Sequence, residues 1–224
     1  PVLVQNVITN FVSLIDNIMV GQVGTEQMTG VAVVNQLMFV FNICIFGGIS
    51  GPGIFTAQYY GKNDTKGVRD TFRAKLFIVL FMTALGALVF TAFRDQLISL
   101  FLHESEKGLD IAKTLDYGRQ YIGIMIMQLL PFAIMQAYAG TLRETGETVI
   151  PMFAGIVAVI INTCLNYILI FGELRAPELG IKGAAIATSL SKIVAFVMAL
   201  FAVFVLDSKI KIKITENFFI KKDT

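Results

Sequence analysis

The chain has 224 residues, of which 55% are hydrophobic and only 15% charged, with a formal net charge of +2 and a mean hydropathy of +0.72. A water-soluble domain carries about 25% charged residues, so the balance points to lipid, and so small a positive charge gives no reason to expect a nucleic-acid partner. No Gly-rich phosphate loop, zinc-ligand spacing, nucleophile elbow or paired catalytic carboxylates occur, so neither an enzyme nor a cofactor is expected.

The charges are unevenly spread. Residues 27–61, 76–93, 120–142 and 148–172 carry none. Each run is long enough to cross roughly 30 Å of hydrocarbon as a helix, and a helix satisfies its own backbone hydrogen bonds in lipid. Six spans are predicted, at about 1–21, 28–60, 70–101, 116–142, 148–172 and 181–206, which makes an all-α polytopic membrane protein. The first span begins at Pro1 with no signal peptide in view, so an upstream segment is expected. In the second span, "GGISGPG" at 47–53 contains Pro52 and is expected to break or kink the helix; Pro131 is expected to bend the fourth. Cys44 and Cys164 fall inside spans and read as small core residues, not as a disulfide. His103 lies in a loop beside Glu104 and Glu106 without further spaced ligands, which is no metal pattern. The tail 207–224 alternates Lys with Ile and reads as a linker.

Six spans place both ends on one side, and lysine and arginine favour the cytoplasm. Lys62, Lys66, Arg69, Arg73 and Lys75 follow span two, the tail carries Lys209, Lys211, Lys213, Lys221 and Lys222, and Arg143 adds an eleventh; the other side holds Arg94, Lys107, Lys113, Arg119, Arg175 and Lys182. Both ends are therefore expected in the cytoplasm, with the chain integral to the plasma (cell inner) membrane.

Polar residues inside the spans are the candidates for function. Asp16 sits in "NFVSLIDNIMVG" and is the first charged side chain of the sequence, the next being Glu26. Asn6, Thr9, Asn10, Ser13 and Asn17 lie near it on the helix by three- and four-residue steps. A charge at mid-bilayer is unfavourable by a few kcal/mol even on lenient scales. Asp16 is thus either a carboxylate that takes and gives up a coupling ion or a buried anchor for helix packing. Asn162 and Asn166, one turn apart in span five, would either hydrogen-bond Asp16, offer oxygens to a cation such as Na⁺, or tie helices together. Thr188 and Lys192 are one turn apart in span six, next to the small residues Gly183, Ala184, Ala185 and Ala187, which allow close helix approach. Lys192 lies deep in its span and would either pair with Asp16 or face a water-filled cavity alone.

Several stretches together resemble one family. "PVLVQNVITNFVSLIDNIMVGQVGTEQMTGVAVVNQ", "GPGIFTAQYYGKND", "GTLRETGETVIPMFAGIVAVIINTCLNYILIFG" and "PELGIKGAAIATSLS" are similar, in this order, to segments of the multidrug and toxic compound extrusion (MATE) transporters, covering nearly all of 1–206. The resemblance implies a secondary antiporter that exports organic, often cationic, drugs or toxins in exchange for H⁺ or Na⁺. It implies twelve helices in two lobes, of which 1–206 would be the N-terminal six-helix lobe and 207–224 the cytoplasmic linker toward a missing C-terminal lobe. Asp16 matches the first-span acid implicated in cation coupling, Asn162 and Asn166 match a fifth-span pair, and Thr188 matches a sixth-span polar residue. Some members have Asp where Asn166 stands, so a two-carboxylate relay is not implied here. The partners expected are a small organic substrate, the bilayer and the missing lobe, with Na⁺ the one metal ion anticipated. A flippase for lipid-linked precursors is the alternative, but it would want more Arg and Lys inside its spans.

Overall fold

The computed structural model describes residues 11, 14–102, 110–175 and 177–205. Among them the chain is helical throughout, without a strand. Residues 14–21 form α1. The rest run as α2 (Thr25–Gly61), α3 (Thr65–Ala92), α4 (Arg94–Leu102), α5 (Ile111–Met125), α6 (Leu129–Glu144), α7 (Val149–Phe171) and α8 (Ile181–Val205). Five stretches are long and apolar enough to cross a membrane: α2, α3, α5 with α6 as one span, α7, and Ile181–Phe201 of α8. The first of the six expected spans is described at residue 11 and from residue 14 onward. Asn6, Thr9, Asn10, Ser13, His103 and the linker 207–224 lie outside the described residues.

The core is built from one face of each helix. On α2, Val34, Leu37, Phe41, Ile45 and Ile49 recur at three- and four-residue steps and are buried, whereas Phe39, Ile43, Phe46 and Phe55 on the other faces are exposed. An apolar outer face is what a helix in lipid requires, because the solvent there is itself hydrocarbon. The main packing partners are α7 with α8, α2 with α3, α2 with α5, and α3 with α6. Tilted ring pairs fasten α2 to α3 through Phe41 and Phe90 (6.2 Å) and α3 to α6 through Phe72 and Tyr138 (4.7 Å).

Four sequence expectations are corrected. First, "GGISGPG" does not break α2, which passes through Pro52 unbroken. Pro52 has no N–H for the Gly48 carbonyl, one missing bond in an otherwise continuous helix, while Ser50 Oγ donates to the Phe46 carbonyl at 2.6 Å and Thr56 Oγ1 to the Pro52 carbonyl at 3.0 Å. Thr56 also lies 3.0 Å from Thr71 Oγ1, fixing this part of α2 against α3. Second, the predicted span 70–101 is two helices, divided at Phe93. The division falls where the charge-free run ends at Arg94, and Asp95 draws the chain aside by binding Arg119 of α5 in a two-pronged contact of 2.6 and 2.9 Å. Third, Cys44 and Cys164 are free, but they are exposed rather than packed in the core; a small apolar thiol on a lipid-facing surface meets no penalty. Fourth, Lys75 is not a loop charge. Its side chain is fully buried, bonded to Glu144 and, at 3.1 Å, to Thr141 Oγ1 of α6. In the fourth span the ladder tightens to a 3₁₀ turn at Ile126–Gln128 just before Pro131, where the proline's missing N–H removes a bond to the preceding turn.

Asp64 and Asp110 cap α3 and α5 by accepting from Gly67 N and from Ala112 and Lys113 N. The Arg119 guanidinium holds the Asp95 carboxyl below the usual carboxylate range. A depressed acid contributes stability above its unfolded pKa and loses that contribution as pH falls through the folded one. The α4–α5 tether should therefore persist from neutrality down to the ordinary carboxylate pKa of 3.8 and release only below it; hydrogen exchange of α4, corrected for intrinsic rates, checks this, and Asp95→Asn should raise exchange at neutral pH.

The buried Lys75–Glu144 pair carries a second prediction. Removing one partner of a buried pair leaves an uncompensated charge, typically destabilising by roughly 3–5 kcal/mol. Lys75→Met should lower the melting temperature of the detergent-solubilised protein strongly, and Lys75→Met with Glu144→Gln should recover a large part of the loss. Equal melting temperatures for both variants would contradict it.

Candidate functional site

The carboxylate of Asp16 projects from α1 towards α7. Asn166 Nδ2 donates to Asp16 Oδ1 at 3.0 Å. Amide orientation is assigned from the hydrogen-bond network, and the orientation of Asn162 that satisfies its surroundings has Nδ2 donating to Asp16 Oδ2 at 2.7 Å while its oxygen accepts from Thr188 Oγ1 at 3.3 Å. Both oxygens of one carboxylate thus receive an amide from consecutive turns of α7, and the outer amide is held by α8. The four-residue spacing makes this possible by placing both amides on one helix face. Asn162 and Asn166 are buried, and Asn166 Oδ1 has no partner.

The geometry depends on how closely α7 and α8 approach. Gly183 of α8 lies against the Leu169 backbone of α7, so closely that a Cβ there would collide with the Leu169 carbonyl. Ala184, Ala185 and Ala187 beside it are almost wholly buried. The turn that brings the two helices together begins at Gly172, which ends α7 in the left-handed region at φ 73°, a conformation that glycine adopts without steric penalty.

Asp16, Asn162, Asn166, Thr188 and Lys192 all line one cavity of about 610 Å³ between α1, α2, α5–α6, α7 and α8. Lys192 does not form the ion pair with Asp16 that the sequence allowed. Among the described residues no ion pair joins them, although each charge acts on the other. Lys192 Nζ instead lies over the Phe132 ring, 5.6 Å from its centroid. The two α7 amides bond the carboxylate oxygens, and Lys192 is one turn of α8 beyond Thr188.

Sequence reading missed other polar lining. Asn35 and Asn42 on α2 are seven residues apart, two helical turns, and both face the cavity; Tyr121 Oη lies 3.5 Å from Asn35 Oδ1. Gln128 is buried with its Oε1 unpartnered, and Arg143 lines the cavity near the end of α6. The signal was present in the amides at helical spacing inside charge-free runs, where an amide is unfavourable unless it faces protein or water. Among the described residues no cluster of His, Cys, Asp and Glu is arranged to hold a metal.

The profile of the MatE family matches residues 1–168, three-quarters of the chain. The chain belongs to the MATE family. Members of that family are membrane transporters, not enzymes. The chain is 28% identical over 194 residues to the probable multidrug resistance protein NorM of Thermotoga maritima, covering 87% of this chain and 40% of that protein. It is 26% identical over 200 residues to the probable multidrug resistance protein YoeA of Bacillus subtilis, covering 88% and 42%. The fold superposes on a crystal structure of MATE in the straight conformation with a TM-score of 0.80 at 20% identity, over 95% of this chain and 45% of that one. An inward-facing multidrug resistance MATE transporter of the MOP superfamily gives 0.78 at 22% identity, over 96% and 46%. The chain thus spans about two-fifths of the length of these curated relatives.

The α7–α8 contact supplies the prediction here. Gly183→Ala forces the helices apart and should destabilise the protein by roughly 1–3 kcal/mol, the usual effect of overpacking. A thermal melt in detergent measures it, and an unchanged melting temperature would show that the two helices separate freely.

Proposed function

We propose that this chain forms one six-helix lobe of a multidrug efflux antiporter of the plasma membrane, with both ends in the cytoplasm, and that Asp16 is its coupling site for H⁺ or Na⁺. One observation carries the reading: a single carboxylate, set among apolar helices and gripped by two amides, faces a ligand-sized cavity. The names of the relatives, probable multidrug resistance proteins, support export of organic compounds. They give no support to a lipid-linked precursor as substrate.

The hydrogen bonds indicate how loading would act. Ionised Asp16 accepts from both Asn162 and Asn166. A protonated carboxyl has one O–H donor, which faces an N–H donor unless an amide turns over. The unpartnered Oδ1 of Asn166 is the natural acceptor after such a turn. A Na⁺ ion would instead draw on the Asp16 oxygens and the same Oδ1, since hard cations take oxygen ligands. Either event rewires the α1–α7 contact, and Thr188 passes the change to α8. Coupling then follows if the substrate binds one arrangement better than the other, because a ligand shifts an equilibrium only by its differential affinity.

Efflux of a fluorescent organic cation from cells expressing the gene for this chain tests the reading. A pH jump and a Na⁺ jump imposed in turn should each be compared between wild type and Asp16→Asn. Ion-driven efflux should be abolished in the variant at normal membrane abundance, and the effective jump identifies the ion. Undiminished ion-driven efflux in Asp16→Asn would make the carboxylate a packing anchor.

A further inference from the structure

The cavity carries two opposite charges that do not neutralise each other by contact. Asp16 is held on one side by the α7 amides. Lys192 Nζ has no hydrogen bond or ion pair among the described residues and faces the Phe132 ring. Lys192 lies eleven residues into α8, about 16 Å from its start, too deep for its ammonium to reach the membrane surface readily. An ammonium at that depth without a counter-ion is unfavourable, and a carboxylate brought by a ligand would relieve it through a charge-assisted hydrogen bond. The cavity that holds both charges is lined in part by the apolar and aromatic side chains Met38, Phe39, Met125 and Phe132, beside the amides of Asn35, Asn42 and Gln128. Arg143, the remaining cation of the lining, is eleven residues beyond Phe132 on α6, also about 16 Å along the axis, and stands apart from this pair.

We propose that the cavity selects zwitterionic organic compounds, with Lys192 as the specificity-determining residue that binds the ligand's carboxylate while Asp16 receives its cationic group and Phe132 and its apolar neighbours cover the body. The inference rests on the reading of this cavity as the substrate site. It accounts for the separation of Asp16 and Lys192: a contact pair would leave neither free for a ligand. It also gives the coupling ion and the ligand's cationic group a common place to compete, at Asp16.

The test is equilibrium binding to the purified protein, by fluorescence polarisation, of rhodamine B and its ethyl ester. The two share a cationic xanthene and differ in the free carboxylate. Wild type should bind rhodamine B about tenfold more tightly than the ester, the usual scale of one charge-assisted hydrogen bond. Lys192→Met should weaken rhodamine B and leave the ester unchanged, Lys192→Arg should keep the preference, and Arg143→Gln should keep it too. Equal binding of the two dyes to wild type overturns the proposal without recourse to any variant. So does a preference that survives in Lys192→Met, or one abolished by Arg143→Gln alone. Because no ion gradient is imposed, failure of the antiport reading is distinguishable: dye preference with no ion-driven efflux would sink antiport alone, and ion-driven efflux with no dye preference would sink the role of Lys192 alone.

Discussion

A carboxylate inside an apolar bundle has to be met by donors from the protein, and the arrangement of α1, α7 and α8 follows from how Asp16 is met. Two amides on successive turns of α7 reach its two oxygens, and Thr188 of α8 fixes one of them. That relay works only if α7 and α8 are almost in backbone contact, which Gly183 and the three neighbouring alanines allow. The small-residue stretch of α8 and the asparagine spacing of α7 are therefore two parts of one requirement. Lipid sharpens it, because no water stands by to satisfy a group left over.

The same constraint explains the charges at the opposite side of the bundle. Lys75 is fully buried, and its ammonium is bonded to Glu144 and Thr141. This pair joins α3 to α6, where Phe72 and Tyr138 also meet. Here both charges are used up by one another, and the result is a fastening. Around Asp16 the donors are neutral amides, so the carboxyl group is oriented without a counter-charge in contact. The difference between a structural and an available charge lies in the partner that the fold supplies.

Much of this was legible in the sequence. The spans could be read from charge-free runs, because a helix in lipid excludes charge over a length that the bilayer sets. Asn162 and Asn166 stood out as amides at helical spacing within one of those runs, and Asp16 and Thr188 as polar groups inside predicted spans; the bonding of the two amides to one carboxylate matches the four-residue spacing. What escaped was whatever depended on a neighbour distant in sequence. Lys75 looked like one more member of a basic loop because Glu144, its partner, is 69 residues away. The continuity of α2 through Pro52 was hidden because proline is judged by its own missing N–H, whereas α2 is packed along its length against α3 and α5, which the local sequence does not show. The break at Phe93 coincides with the end of the charge-free run at Arg94 and Asp95, but the apolar residues Leu97, Ile98, Leu100, Phe101 and Leu102 beyond it made the span look longer, and the Asp95–Arg119 contact that turns the chain joins residues 24 apart. The distance between Asp16 and Lys192 was equally out of reach, since spacing along one helix says nothing of the separation between two.

That separation decides what the cavity can do. Had Lys192 paired with Asp16 directly, the bundle would hold a neutral, self-satisfied bridge like Lys75–Glu144, and any ligand would have to break it before binding. Instead the asparagines hold the acid from one side, and Phe132 offers the ammonium a weak resting place on the other, since a cation over a phenyl ring gains only about 0.5–2 kcal/mol. A weak resting place is easily left. The ammonium is held in position without being satisfied, and the acid is oriented without being neutralised. Two charges kept in that condition within one cavity would favour a ligand that carries both of their complements, and on the proposed antiport reading a proton or sodium ion taking the acid would remove half of that attraction. On that reading, exchange between ion and organic ligand would need no long-range pathway through the bundle, because both would contend for one carboxylate.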